Sequence, residues 1–254
     1  MFTLVGWNEN INTAVLDYIT ALADPHVRVV GDDILVPELS SLMGCFALGT
    51  TMTQAQLSSP SLRRLSLMDI EPVNVGAEPV DTQFPGTFHD YFDRPIPLEQ
   101  SEALNALINQ ALGGAERETV LAWLGDGVDA VPDGQMFTSR FTNADTLVAY
   151  TWTAGALVFT QAIPAGRYAV VGARARSAGL IAFRLMFPGG NWRPGAIGVD
   201  AAADNECLRF RSGGAGVWGE FEHDLPPVVE FLSVSADAAQ VVHLDLVQTR
   251  SGRA

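Results

Sequence analysis

The chain has 254 residues, 48% of them hydrophobic and 17% charged, with 29 Asp and Glu against 15 basic residues and a net charge of −14. Ordinary soluble domains carry about 25% charged residues, so the composition provides for a sizeable core and excludes intrinsic disorder. All the basic residues are Arg, and the acidic balance argues against a free-standing nucleic-acid binder, which presents a basic face.

No window of 18 uninterrupted apolar residues occurs, so no membrane span is expected. Met1–Trp7 is too short for the apolar core of a secretory signal and no basic segment leads it. The two cysteines, Cys45 and Cys207, belong to no CxxC or Cys/His cluster, which speaks against structural zinc. Buried free thiols are the expectation, since pairing depends on the fold bringing the two together. Charge is uneven along the chain. Residues 1–127 hold 17 acids and 5 Arg, net −12, whereas residues 128–254 hold 12 acids and 10 Arg, net −2.

In the N-terminal part, Ile11, Val15, Tyr18, Ile19 and Leu22 follow the spacing of an amphipathic helix, with Asn10 or Asn12 as cap and Asp24-Pro25 as stop. Val27–Val30, the Gly31-Asp32-Asp33 turn and Ile34–Pro37 read as a hairpin. Residues 40–75 are ambiguous, with a turn or helix start at Ser58–Ser61 and a strand signal over Leu67–Val75. Residues 76–97 combine Pro79, Pro85, Pro95 and Pro97 with Phe84, Phe88, Tyr91 and Phe92, which predicts an extended arm lying on a surface of this subunit or a neighbour. Leu104, Leu107, Ile108, Ala111 and Leu112 predict a helix over 98–112, with Glu99 and Glu102 near its N-terminus and Gly113-Gly114 as its stop.

Beyond Gly114 the pattern turns to strands, at 117–124, 135–142, 146–160, 166–176, 179–187, 206–211, 216–222, 227–236 and 240–248, separated by Gly, Pro, Asn and Asp turns. Ile181, Phe183, Leu185 and Phe187 share one strand face, as do Val242, Leu244 and Leu246. The opposite faces are mixed rather than polar, which hints at surfaces covered by something else.

No GxSxG elbow, HExxH pair or phosphate-binding loop is present. His89, Asp90 and Asp93 form the densest candidate metal cluster, and His243 with Asp245 a candidate dyad; a polar knot and a strand face are the plainer readings. Asp126, Asp129 and Asp133 resemble a loose oxygen-ligand set for calcium without the EF-hand spacing. Arg174, Arg176, Arg184, Arg209 and Arg211 suit either an oxyanion site or ion pairs with the acidic half of the same or an adjacent subunit, and the latter is favoured. Trp192 stands in a Pro/Gly loop as an anchor or a contact for sugar or protein.

The run Phe159–Gly172 (FTQAIPAGRYAVVG) is similar to strand–turn–strand segments of jelly-roll viral capsid proteins, as is the plan of a mixed N-terminal region and arm followed by about eight strands. The resemblance covers residues 115–250 and carries no catalytic residues with it. Basic arms for the genome are common in such proteins and this one is acidic, so direct sequence-specific nucleic-acid binding is not expected. The expected architecture is mainly β. Residues 1–114 form a smaller α+β region, including the 76–97 arm and the 98–112 helix, and residues 115–254 form an eight-stranded antiparallel jelly-roll sandwich. The expected function is structural: a self-assembling shell subunit of a virion, a viral major capsid protein, partnered by itself and other virion proteins, without enzymatic activity, cofactor, metal or membrane span. The rivals are a lectin-like or receptor-binding module recognising a glycan or anionic ligand, and a hydrolase built on His89 or His243.

Overall fold

Regular structure in this chain is almost entirely β: the described elements are strands apart from one five-residue helix, Pro60–Arg64, and a short 3-10 turn, Leu208–Phe210. The computed structural model describes residues 1–38, 40–64, 68–74, 88–111, 113–200 and 208–251. The chain divides into two compact units, Leu4–Gly127 and Val128–Ala254, the second also taking Met1–Thr3.

The N-terminal unit is a pair of sheets, not an α+β region. In one sheet Phe2–Ile11 neighbours Glu116–Gly125, which pairs antiparallel with Ser41–Gly49. In the other, Ala103–Gln110 lies between Asp33–Leu35 and Met52–Ser58. Val5, Trp7, Cys45, Ala47, Val120 and Ala122 of the first sheet meet Ala55, Leu57, Leu104, Ala106 and Ile108 of the second in one buried cluster. The hairpin forms as expected, with Val29 opposite Ile34 and Val30 opposite Asp33 across the Gly31-Asp32 turn.

Both helix expectations are overturned here. Residues 98–112 contain the strand Ala103–Gln110, and the 11–22 stripe is split between the end of the Phe2–Ile11 strand and the short strand Asp17–Tyr18, which pairs with Leu107–Ile108. Leu104, Ala106 and Ile108 alternate into the core while strands on either side take up the backbone groups, and pairing of that kind outweighs helical propensity. The 115–127 segment belongs with this unit, because Glu116–Gly125 is central to its sheet.

Part of the Pro/aromatic arm lies outside the described residues. Its described end packs on its own chain: His89–Asp90 pairs with Gly44–Cys45, and Ile96–Pro97 with Ser41–Leu42. Phe88 meets the buried Trp123 edge-on at 5.0 Å. Gly44 permits this, since a Cβ there would meet the Phe88 ring and the His89 carbonyl at 2.9 Å.

The C-terminal unit also has two sheets. One runs Val158–Phe159, Met136–Asn143, Gln240–Ser251, Gly166–Ser177, Val199–Asp200, with Gly219–Glu222 also on Gly166–Ser177. The other runs Thr153–Ala156, Val228–Ser233, Leu180–Met186, Gly195–Ile197. Strands recur where turn residues punctuate the sequence, and Val242, Leu244 and Leu246 are fully buried as their alternation requires. The 146–160 signal resolves into two short strands, and the described end of 206–211 is the 3-10 turn.

Candidate functional site

The histidine clusters are held by structural bonds. His89 accepts the Glu71 N–H at Nε2 (3.2 Å), which leaves the Nδ1 proton facing the Tyr91 hydroxyl at 3.3 Å. Burial lowers its pKa against the opposing influence of Glu71. Asp90 accepts the Phe92 N–H in a local turn. Asp126 falls in one unit and Asp129 and Asp133 in the other. Among the described residues, no three His, Cys, Asp or Glu side chains are grouped to hold a metal. Cys45 is a free, buried thiol whose pKa burial pushes up; Cys207 lies outside the described residues.

His243 and Asp245 share a strand face and both feel Arg211, and Asp245 raises the His243 pKa, but the hydrogen bonds of Asp245 go to other partners. Asp245 accepts from Arg211 at Nε (3.0 Å) and at the terminal guanidinium nitrogen (3.2 Å), from the Thr138 hydroxyl (2.6 Å) and from the Ser212 N–H (3.0 Å). Burial alone would raise its pKa; these donors, Arg211 foremost, outweigh it and hold the carboxyl below its ordinary value. This pin closes the 208–217 segment onto the sheet where Gly172 leaves room for the Arg211 backbone. His243 is lowered by burial and then by Arg174, Arg211 and Arg140. Arg140 and Arg174 flank it in register on either side.

Arg184, grouped with Arg174 and Arg176 in the sequence, does not join them, because its strand belongs to the other sheet. It lies opposite Glu230 with Nε to carboxylate at 2.6 Å, and neither side chain is open to solvent. The Trp152 ring covers its guanidinium at 4.2 Å. Two of the five singled-out arginines, Arg184 and Arg211, thus have acid partners inside the C-terminal unit rather than in the acidic half.

Trp152 also lies within an uncharged stretch of the chain. From Thr146 to Gly166 the chain has no charged residue. Within this stretch, Thr153–Ala156 forms the edge of one sheet and Val158–Phe159 the edge of the other, with buried Leu157 between them. Val148 and Val158 are 58% and 60% exposed, and Ala149, Ala154 and Ala156 are exposed as well. The edge is held in shape, as the Asn143 amide donates to the Ala156 carbonyl (2.9 Å) and Gly155 leaves space for that amide. Sheet edges in soluble proteins are commonly guarded by charge, and this one is not.

A cavity of about 470 Å³ opens elsewhere on the C-terminal unit. Trp192, Trp218 and Phe187 form its aromatic walls, and Asp129, Glu220 and Arg167 its charged rim. The Trp192 loop is fixed by the buried Arg193, which donates to the carbonyls of Gly190 and Trp192, both at 3.0 Å. Trp218 is embedded among Phe2, Phe183 and Phe210. Gly219 is required beside Phe187, whose ring atoms come within 2.5 Å of where a Cβ would sit.

Glu118 escaped the sequence reading altogether. It is fully buried, and its carboxylate occupies the space that a Cβ on Gly49 would take. Burial pushes its pKa up to about 7, aided by Glu116 and partly offset by the Thr51 and Thr50 backbone. Its place at the start of an apolar strand run, Val120–Leu124, was the available signal.

No family model matches the chain, and no curated protein matches it. Among solved structures, the chain is similar to the major capsid protein P2 from Bacteriophage PM2, over 100% of this chain and 99% of that one, at 10% identity and a TM-score of 0.27. A likeness of that size carries no argument about fold or function.

Proposed function

We propose that the protein is a structural, self-assembling shell subunit, a viral major capsid protein that resides in the virion and whose principal partner is itself. The uncharged edge over Thr146–Gly166 carries this reading. A chain of net charge −14 repels its own copies, and that repulsion is least where exposed valines and alanines replace carboxylates. An edge strand offers free backbone donors and acceptors, and an antiparallel edge is self-complementary about a two-fold axis. Repeated contacts of this kind close into symmetric assemblies. The buried Arg184–Glu230 pair under Trp152 fixes the strand next to that edge without placing a charge on the surface.

The test is the double substitution Ala156→Asp with Val158→Asp, read by electron microscopy for particles and by circular dichroism for folding. The expected result is a folded β protein that no longer forms particles. Particles formed as readily as by the unmodified chain would refute the edge as the basis of assembly.

A further inference from the structure

The cavity beside Trp192 fits neither the packing of the core nor the assembly edge, and its chemistry is specific. Its volume of about 470 Å³ lies within the range of about 300–1,000 Å³ typical of small-molecule sites. We infer that it is a binding site for a neutral saccharide, accepting one pyranose ring against the indole of Trp192.

Three observations select that ligand. First, the walls are aromatic, and the C–H face of a pyranose is the apolar surface that packs on such rings. Second, the rim offers both acceptors and donors to sugar hydroxyls. Arg167 Nε meets Glu220 at 2.5 Å, an internally matched pair that gains little from a charged ligand. The Glu220 and Asp129 carboxylates retain lone pairs for hydroxyl donors, and the Arg167 guanidinium retains N–H groups for hydroxyl acceptors. Third, Trp218 forms part of the wall, is 2% exposed and is packed among Phe2, Phe183 and Phe210, so that part of the aromatic wall is rigid.

The loop is built to hold the ring before a ligand arrives. Arg193 clamps the carbonyls of Gly190 and Trp192, the Gly190 N–H bonds the Phe187 carbonyl at 3.0 Å, and Gly189 takes φ of +72°, which a side chain would disfavour. Such preorganisation lowers the ordering cost of binding. The site is independent of the assembly edge, so it stands or falls separately from the shell reading.

Saturation-transfer NMR and tryptophan fluorescence test it, using glucose, galactose, mannose and N-acetylglucosamine as probes, with choline and inorganic phosphate as charged comparators. The expected result is that at least one neutral sugar binds, that Trp192→Ala weakens it by about tenfold or more, and that Asp129→Asn weakens it without touching the loop. Trp192→Phe should retain part of the affinity, because the ring face remains. The inference is overturned if no sugar binds at about 50 mM, if choline or phosphate binds in place of the sugars, or if binding survives both Trp192→Ala and Asp129→Asn unchanged. Particle formation by the same samples reports on assembly separately.

Discussion

Glu118→Gln is expected to stabilise the N-terminal unit at neutral and alkaline pH. The carboxyl is completely buried next to Gly49, and burial lifts its pKa from 4.5 to about 7. The folded state therefore holds the Glu118 proton more tightly than the unfolded chain does. Stability from this group is fully present below the unfolded pKa near 4.5 and is lost as pH rises through about 7. At about 1.4 kcal/mol per unit, the loss above pH 7 amounts to about 3 kcal/mol. Gln keeps the shape and never ionises, so it removes the loss. Urea unfolding of both proteins at about pH 5 and about pH 8.5 gives the comparison. The variant should be more stable by less than about 1 kcal/mol at the lower pH and by about 3 kcal/mol at the higher pH. Equal stability at both values, or a variant weaker at pH 8.5, would show that Glu118 is ionised and well satisfied in the fold.

Other substitutions probe the C-terminal unit. Replacing Glu230 alone with Gln leaves buried Arg184 without its counter-charge and should cost about 3–5 kcal/mol, whereas Arg184→Met with Glu230→Met should recover most of that loss; equal losses in thermal unfolding would contradict the pairing. Asp245→Asn should weaken the bond from Arg211 and cost about 2–3 kcal/mol at neutral pH. Because the Asp245 pKa is held low, its contribution is present above the unfolded value and should fade as pH falls through the folded one. An Asn variant with unaltered stability at pH 7 would refute that role. Gly219→Ala should drive the Phe187 ring out of place and cost about 1–3 kcal/mol, read as a lowered Tm together with a changed near-ultraviolet aromatic signal; an unchanged Tm would argue against the close contact.

The strand content of the C-terminal half was legible because turn residues interrupt it at short, regular intervals, and because Val242, Leu244 and Leu246 alternate with polar neighbours. The N-terminal half misled because Leu104, Leu107 and Ile108 satisfy a helical spacing while Leu104, Ala106 and Ile108 satisfy a strand spacing. Ala106 is too small to stand out as a core residue, and the strands that flank it come from distant parts of the chain. Asn105 and Asn109, poor helix formers, were the local hint. Trp192 was visible as a loop aromatic, but its union with Trp218, Arg167 and Glu220 depends on strands brought together only by folding. The uncharged stretch from Thr146 to Gly166 was present in the sequence; its meaning became plain once both its strands proved to be edges.

The measurement that bears most directly on the shell reading is sedimentation velocity of the purified native protein across a range of protein and salt concentrations. The account predicts one large, discrete species formed from many copies, favoured by moderate salt that screens the −14 charge of each chain. A monomer that persists at every protein and salt concentration would contradict it.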